Sequence, residues 1–189
     1  MRIAVFTDSY RPQINGVVTS IDSFVSELKR RGHDVFIFAP SDPKAIKEKN
    51  VFRIRSFEFF GYKGYRIGLP AKLLVDFPIE KIKPDVIHIH SPFSVGMLGL
   101  KVAKQYKIPV VATFHTMYPD YVHYVVKPNL LMKVEFLNKL FRGASWSYVR
   151  WFYNMCDAVV APTTTIKKVL MKNGIKKKIA VIPTGTHVH

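Results

Sequence analysis

The stretch MRIAVFTDSYRPQINGVVTS, residues 1–20, decides the fold. Its apolar run 3–6 ends in the polar residues 7–9, which is typical of a buried strand followed by a loop. The Asn15-Gly16 pair is a turn signal at a helix start, and apolar side chains then recur at helical spacing over residues 17–28. A buried strand followed by a loop and an amphipathic helix indicates the α/β class.

The same alternation continues along the chain. Further buried strands are predicted at residues 34–40, 51–55, 84–90, 109–114, 158–161 and 179–183, with 51–55 at an edge of the sheet. Helices are predicted at 93–106, at about 128–155 with a break or kink at Gly143, and at 164–172, whereas 56–80 is predicted to be irregular apart from a short helix at 70–76. This pattern predicts an α/β fold, with a Rossmann-like open parallel sheet of about seven strands and helices on both faces.

Length and composition fit one soluble domain. The 189 residues, 48% of them hydrophobic, are enough for a globular domain with a single core. We assign residues 1–185 to this domain and 186–189 to a linker or an artificial tail, and we expect a second domain beyond them. Cys156, the single cysteine, excludes an internal disulfide and fits a reducing compartment. We see no signal peptide and no run of about 18 apolar residues, so we expect a cytoplasmic protein.

The net charge indicates an anionic partner. Lysine and arginine number 29 against 13 acidic residues, a formal net charge of +16. Such an excess attracts nucleic acid, an anionic membrane or phosphorylated substrates, although a basic solvated surface also explains it. The basic residues are scattered along the chain and form no nucleic-acid-binding motif, so no specific nucleic-acid partner is predicted. Two segments, residues 57–66 and 128–153, mix aromatic and basic side chains. Both suit the interface of an anionic membrane, which favours peripheral membrane binding, although packing in the core equally explains the apolar stripe of the second segment. The candidate membrane contacts are Phe59, Phe60, Tyr62, Lys63, Tyr65, Arg66, Lys133, Lys139 and Arg142.

Ligand-binding residues are expected beyond the carboxyl ends of the strands, where open parallel sheets bind their ligands. After the first strand, the Asn15-Gly16 loop opens a helix whose first N–H groups are suited to a phosphate. The pattern matches neither G-x-G-x-x-G nor a P-loop, so the nicotinamide fingerprint is absent, and an ordinary tight turn is the competing interpretation.

Three histidines lie at these strand ends. His88 and His90 form an H-x-H pair on one face of a strand, which is suited to a metal ion as in metal-dependent hydrolases, but further ligands are scarce. The simpler interpretation packs His88 in the sheet and gives His90 a polar contact. His115 closes the fifth strand before Tyr118 and Tyr121. That combination is typical of sugar recognition, or of a loop histidine with its hydrogen bonds satisfied.

Five segments, taken together and in order, resemble a known family. They are residues 1–20, DVIHIHSPF at 85–93, TFHTMY at 113–118, CDAVVAPT at 156–163 and VIPTG at 181–185. They resemble the family 4 retaining glycosyltransferases and, within these, the diacylglycerol glucosyltransferase branch. One departure follows the last segment, where Thr-His stands in place of the usual apolar residue and aspartate. That departure leaves the linker to a second domain unseen.

The resemblance implies a GT-B fold, in which two Rossmann-like domains enclose the active site. This chain would be the N-terminal, acceptor-side half. No two of its glutamates have the family's E-x7-E spacing, which places the donor-binding C-terminal domain outside the chain. The resemblance also implies retention of the anomeric configuration, no cofactor and no bound metal, with the donor phosphate helping to take the proton of the acceptor.

The resemblance and the strand-end positions together give the predicted site. His115 is the predicted catalytic residue, which would contact the donor sugar. The predicted donor-binding residues are Asn15, Gly16, Val17 and Thr116. The predicted acceptor-binding residues are Asp8, Tyr10, His90, Tyr118 and Tyr121.

We therefore predict a hexosyltransferase domain that moves a hexose from a nucleotide sugar, with UDP-glucose as the expected donor, to a membrane lipid such as diacylglycerol. The chain alone is expected to be inactive. Two alternatives stay open, namely a metal-dependent hydrolase using His88 and His90, and a non-enzymatic module that binds anions or membranes. The predicted partners are the nucleotide sugar, a lipid or sugar acceptor, an anionic membrane surface and the protein's own C-terminal domain.

Overall fold

The computed structural model describes residues 1–59, 65–69, 73–115 and 135–183. These ranges contain nine strands and five helices. The strands are β1 Arg2–Phe6, β2 Asp34–Pro40, β3 Val51–Ile54, β4 Ser56–Glu58, β5 Arg66–Gly68, β6 Val86–Ile89, β7 Val110–Thr113, β8 Ala158–Ala161 and β9 Lys178–Val181. The helices are α1 Gly16–Arg30, α2 Leu73–Ile82, α3 Ser94–Tyr106, α4 Glu135–Met155 and α5 Thr164–Lys172.

Seven of the strands form one parallel sheet in the order β3-β2-β1-β6-β7-β8-β9. Within it, Val5 of β1 pairs with Ile37 on one side and with His88 on the other. The chain moves one way from β1 to β3 and the other way from β6 to β9, so the strand order reverses between β1 and β6. Open α/β sheets bind ligands beside such a reversal. The predicted Rossmann-like parallel sheet, with β3 at an edge, is confirmed.

Helices cover both faces because successive strand residues point to opposite sides of the sheet. Val5 of β1 packs with Ile21 of α1 in one hydrophobic cluster. Phe6, on the other face, belongs to a larger cluster that includes residues of α3, α4 and α5. The ring of Phe6 stacks on that of Phe38, with centroids 4.5 Å apart. Two separate clusters on the two faces confirm the predicted covering of the sheet.

Helix α1 begins where the sequence predicts it. Asn15 caps its N-terminus, since Asn15 Oδ1 accepts hydrogen bonds from the N–H groups of Val17 and Val18, both at 3.0 Å. Gly32 follows the helix with a φ of 78°, a left-handed conformation that glycine adopts without strain.

Two glycines let α3 lie close to the sheet. A Cβ atom at Gly96 would stand 1.6 Å from the carbonyl oxygen of Ser91, and one at Gly99 would stand 2.7 Å from Cγ of Phe6. Neither distance leaves room for a methyl group, so α3 packs at a separation that only glycine allows. The helix predicted at 93–106 despite these glycines is confirmed, and the close packing explains their presence.

The segment from 56 to 80 is more regular than predicted. Strands β4 and β5 pair antiparallel as a separate hairpin, with Phe57 opposite Ile67. Helix α2 continues to Ile82, beyond the predicted end at 76. Three-residue strands carry too little alternation of apolar and polar residues to be distinguished from a loop in the sequence.

Helix α4 continues through Gly143, which excludes the predicted break there. The alternative, a kink at Gly143, stays a prediction. The buried side chains of Val149, Phe152 and Tyr153 anchor the helix in the core, and tertiary packing of this kind outweighs the low helix propensity of one glycine. The predicted start near residue 128 lies outside the described residues. Among the described residues, no helix is both long and apolar enough to cross a membrane.

We expect Gly96→Ala to lower the free energy of unfolding by about 3 kcal/mol or more, because its methyl group would overlap the Ser91 carbonyl. The matched control is Gly143→Ala, where a Cβ atom meets nothing within 4 Å. The control should stabilise the helix by about 0.5–1 kcal/mol. Urea unfolding of both variants measures this, and equal stabilities would contradict the close packing of α3.

Candidate functional site

The side chain of Asp8, at the end of β1, is fully buried and caps helix α3. Its Oδ1 accepts hydrogen bonds from the hydroxyl of Ser94 at 2.5 Å and from the N–H of Val95 at 2.8 Å. The N–H of Gly96 donates to Oδ2 at 3.5 Å. Burial raises the pKa of Asp8, and these hydrogen bonds oppose the rise. The carboxylate therefore ties β1 to the start of α3 across the reversal in strand order.

This capping role bears on the predicted acceptor contacts of Asp8 and Tyr10. Asp8 has no exposed surface, and Tyr10 is only 5% exposed. The ring of Tyr10 lies 5.3 Å from the guanidinium carbon of Arg53, and burial, as the main cause, raises the pKa of its hydroxyl to about 12. Neither side chain lines the surface in this conformation, so an acceptor would reach them only after a local movement. Their acceptor role stays a prediction.

The Asn15-Gly16 loop lies at the same edge of the sheet as Asp8. Besides capping α1, Asn15 donates from Nδ2 to Ser9 Oγ at 2.7 Å, and Ser9 Oγ donates to Gln13 Oε1 at 2.6 Å. The N–H of Val17, predicted to be free for a phosphate, is occupied by the Asn15 side chain. Around Gly16 the space where a Cβ atom would stand is open, so a ligand has room to approach the backbone there.

Three histidines form a stack at the carboxyl ends of β6 and β7, where His88 lies within β6 and His90 and His115 follow the two strands. His88 Nε2 lies 2.7 Å from Thr113 Oγ1, and His90 Nδ1 lies 2.8 Å from His115 Nε2. The ring centroids of His88 and His90 are 4.1 Å apart, and those of His90 and His115 are 5.1 Å apart. Phe24 of α1 packs edge-on against His88 at 4.8 Å. The structure thus brings His115, the predicted catalytic residue, into direct contact with His90, the predicted acceptor contact.

Burial keeps all three imidazoles neutral. It lowers the pKa of His88 to about 3, with the charge of His115 adding to the effect, and lowers the pKa of His115 to about 4. The pKa of His90 is well below its ordinary value, mainly because of burial and secondarily because of its two histidine neighbours. Neutral imidazoles serve as hydrogen-bond donors and acceptors rather than as cations.

The metal-hydrolase alternative needs more ligands than the described residues provide. Among these residues, no group of three or more His, Cys, Asp and Glu side chains is placed to hold a metal ion. His88 and His90 are instead engaged with Thr113 and His115. The simpler interpretation, with His88 packed in the sheet and His90 making a polar contact, therefore describes the pair.

The other predicted site residues divide into described and undescribed ones. Thr116, Tyr118, Tyr121, Phe60, Tyr62, Lys63 and Lys133 lie outside the described residues, and Lys139 belongs to α4.

The described membrane candidates sit in two places. Phe59 and Tyr65 meet beside the β4–β5 hairpin, with ring centroids 6.4 Å apart. Arg66 donates to the hydroxyl and the carbonyl of Ser56 and is half-buried, so it is not a free headgroup contact. Arg142 is exposed on α4.

A groove between α4 and the start of β9, not anticipated from the sequence, is positively charged. Its volume is about 610 Å³, and it is lined by Ser147, Arg150, Trp151, Asn154, Gly174, Lys176 and Lys177. Trp151 is 48% exposed, and no acidic side chain lines the groove. Among the described residues, its three cations form no ion pair. We call this surface, which is formed by α4 and by the loop that follows α5, the α4–α5 groove. The sequence did contain a signal for this groove, since residues 136–189 include nine basic residues and one acidic residue, Asp157.

A second groove lies beside the N-terminal half of α1. It has a volume of about 440 Å³ and includes Arg11, Asp22 and Glu48, which form two ion pairs. Ile14 and Ile46 border it and are 97% and 75% exposed. Its internal ion pairs balance most of its charge, in contrast to the α4–α5 groove.

Comparisons with known proteins identify the family of this chain. Residues 14–189 match Glycosyltransferase Family 4. The chain is 36% identical to an alpha-monoglucosyldiacylglycerol synthase of Streptococcus pneumoniae, over 98% of this chain and 40% of that protein. It is 35% identical to a synthase of the same name from Acholeplasma laidlawii, over 100% of this chain and 47% of that protein. The chain thus spans less than half the length of either relative.

A solved structure shows the same fold. Sucrose-phosphate synthase from Thermosynechococcus elongatus superposes with a TM-score of 0.57 at 16% identity, covering 98% of this chain and 90% of that chain. The shared fold is the Rossmann-like parallel sheet with helices on both faces.

We expect the free energy of unfolding to fall as the pH drops below about 6.5. The unfolded chain then takes up protons on its histidines, whereas His115 and His88 stay neutral in the fold until about pH 4 and about pH 3. The stabilisation is therefore complete above pH 6.5 and is lost towards pH 4. The raised pKa of Asp8 acts in the opposite direction.

The variant His88→Phe removes one buried histidine and so measures how much His88 contributes to this pH dependence. Between pH 6 and pH 4 it should lose stability less steeply than the wild type, by up to about 1.4 kcal/mol per pH unit. Urea unfolding at a series of pH values measures both slopes, and equal slopes would contradict a neutral, buried His88.

Proposed function

This chain belongs to Glycosyltransferase Family 4, and we propose that the whole protein is a retaining GT-B enzyme that transfers glucose from UDP-glucose to a membrane lipid such as diacylglycerol. The names of the two glucosyldiacylglycerol synthases similar to this chain support the lipid acceptor. The chain would form the acceptor-side domain, and a second domain would supply most of the donor site. The chain alone would then be inactive.

The observation that carries the proposal is the placement of His115 and the Asn15-Gly16 loop at one edge of the sheet, on the two sides of β6. A donor needs a site for its diphosphate and a separate contact for its sugar. In this arrangement the N-terminus of α1 would hold the diphosphate, and His115 would hold the hexose.

The diphosphate would bind beside Gly16, where the backbone is open to approach. The amides of Val17 and Val18 become available when the Asn15 carboxamide turns away from them. Amide dipoles fixed by the helix would then stabilise the negative charge that grows on the phosphate as the sugar–oxygen bond breaks.

His115 would orient the hexose by a hydrogen bond to one of its hydroxyl groups. Its imidazole is neutral, so it contributes no charge of its own. The acceptor hydroxyl would attack from the face that the phosphate leaves. Its proton would pass to the departing phosphate oxygen, and the bond formed would keep the donor configuration. No cofactor or metal takes part in this proposal.

Membrane attachment forms the second part of the proposal, and the α4–α5 groove is its best support. Arg150, Lys176 and Lys177 offer unpaired positive charge, and the half-exposed ring of Trp151 lies among them. An indole surrounded by cations suits the interface of an anionic bilayer. The protein would then work as a peripheral membrane enzyme on the cytoplasmic side.

We expect the full-length protein to move labelled glucose from UDP-glucose into vesicles of diacylglycerol and phosphatidylglycerol with a chelator present. His115→Ala should lower kcat about tenfold or more, because its contact acts on the reacting sugar. The matched control is His33→Ala, since His33 lies at the opposite edge beside the N-terminus. Wild-type turnover in His115→Ala, or no lipid-linked label with any hexose donor, would contradict the proposal.

We expect the double variant Arg150→Glu/Lys176→Glu to bind phosphatidylglycerol vesicles at least tenfold more weakly, since each basic residue near such a surface contributes about 1 kcal/mol. The control Lys101→Glu/Lys104→Glu makes the same change of charge on exposed positions of α3. Vesicle sedimentation measures both affinities. An equal loss in the two variants would reduce the effect to net charge and contradict a role for the α4–α5 groove.

A further inference from the structure

His90 contacts His115, the residue that the proposed reaction needs in one orientation. Its side chain is 2% exposed, and its backbone N–H donates to the carbonyl of Phe6 at 2.9 Å, which fixes the strand end. Its Nδ1 lies 2.8 Å from His115 Nε2. One nitrogen of each ring therefore faces the other, and one of the two must carry the shared proton.

The surroundings of His90 decide which ring donates. Its second nitrogen, Nε2, is buried and has no hydrogen-bond partner among the described residues. A neutral imidazole carries one N–H. If His115 donated, the proton of His90 would sit on Nε2 as a buried N–H without an acceptor, which is rare in folded proteins and unfavourable. If His90 donates from Nδ1, its only N–H is satisfied.

We infer that His90 is a positioning residue for His115. It donates from Nδ1 to Nε2 of His115, and so keeps the proton of His115 on Nδ1. His115 then presents an N–H donor, not a bare nitrogen, on the side of the ring away from His90. This inference rests on the proposed function, in which that N–H holds a hydroxyl group of the donor hexose.

The rest of the stack holds His90 in the orientation that this hydrogen bond needs. His88 packs against the ring of His90 on one side, and His88 is itself held through Nε2 by Thr113. Phe24 of α1 contacts both rings, at 4.8 Å from His88 and 5.8 Å from His90. The imidazole of His90 therefore has little freedom to rotate, and a hydrogen bond between two fixed rings sets a tautomer more firmly than one to solvent.

The arrangement explains why a histidine stands at position 90 rather than an apolar residue. An apolar side chain would fill the buried space, but it would leave Nε2 of His115 without a donor. His115 would then be free to place its proton on Nε2 and to turn a bare nitrogen towards the sugar. A sugar hydroxyl can also donate a hydrogen bond to such a nitrogen. In that case the ring no longer donates to the sugar oxygen, and so it no longer withdraws electrons from that oxygen.

The experiment compares three variants of the full-length protein. His90→Leu removes the donor and keeps an apolar side chain. His90→Asn restores an N–H donor, because the Asn amide nitrogen occupies about the place of Nδ1. His88→Leu is the matched control, since it disturbs the same buried stack but leaves the His90–His115 bond in place. The tautomer of His115 is read from ¹⁵N chemical shifts of ¹⁵N-histidine-labelled protein, with the His115 signals assigned by their loss in His115→Ala.

The wild type and His90→Asn should carry the His115 proton on Nδ1, and His90→Leu should shift it towards Nε2. In glucose transfer, His90→Leu should lower kcat about tenfold while the KM for UDP-glucose changes less than threefold, and His90→Asn should recover most of kcat. His88→Leu should leave the His115 tautomer unchanged.

A wild-type proton on Nε2 of His115 would overturn the inference, and so would an unchanged tautomer in His90→Leu. If His90→Leu fails to fold, the wild-type tautomer and the His90→Asn variant still decide the question. The tautomer is measured without donor or acceptor, so an absence of glucose transfer in the wild type would contradict the proposed function alone.

Discussion

The buried carboxylate of Asp8 ties β1 to the start of α3 at the point where the strand order of the sheet reverses. Asp8 follows β1 and accepts hydrogen bonds from Ser94 and Val95 at the start of α3, the helix that follows β6. A buried carboxylate is unfavourable unless such hydrogen bonds offset the loss of water. The contact therefore fixes how β1, β6 and α3 meet. The Asn15-Gly16 loop and the histidine stack follow β1, β6 and β7, so their relative positions depend on it.

The chemistry and the charge of the molecule are separated in space. The histidines at the sheet edge are neutral because burial lowers their pKa values, and the carboxylate beside them is used inside the fold. Three cations that form no ion pair among the described residues, Arg150, Lys176 and Lys177, lie instead on the α4–α5 groove. This division suits an enzyme that binds an anionic surface with one face and positions an uncharged sugar at the carboxyl edge of the sheet, since each task needs a different electrostatic setting.

Most of the fold can be predicted from the sequence, because the buried strands are long enough to be recognised as apolar runs. Residues such as Asn15 and Gly32 also mark the two ends of helix α1. Short strands such as β4 and β5 lack such apolar runs. Strand-end positions identified His90 and His115, but their mutual hydrogen bond depends on strand register, which no local pattern reveals. The burial of Asp8 likewise depends on α3, 86 residues away in sequence. The α4–α5 groove joins residues of a helix and a later loop, so its charge looked scattered in the sequence.

The most direct test of the account is a structure of the full-length protein with an unreactive UDP-glucose analogue. We expect the diphosphate at the Asn15-Gly16 loop, with the Asn15 carboxamide turned away from Val17, and a hexose hydroxyl within about 3 Å of His115 Nδ1. A nucleotide sugar bound away from this edge, or one that leaves His115 without contact to the sugar, would contradict it.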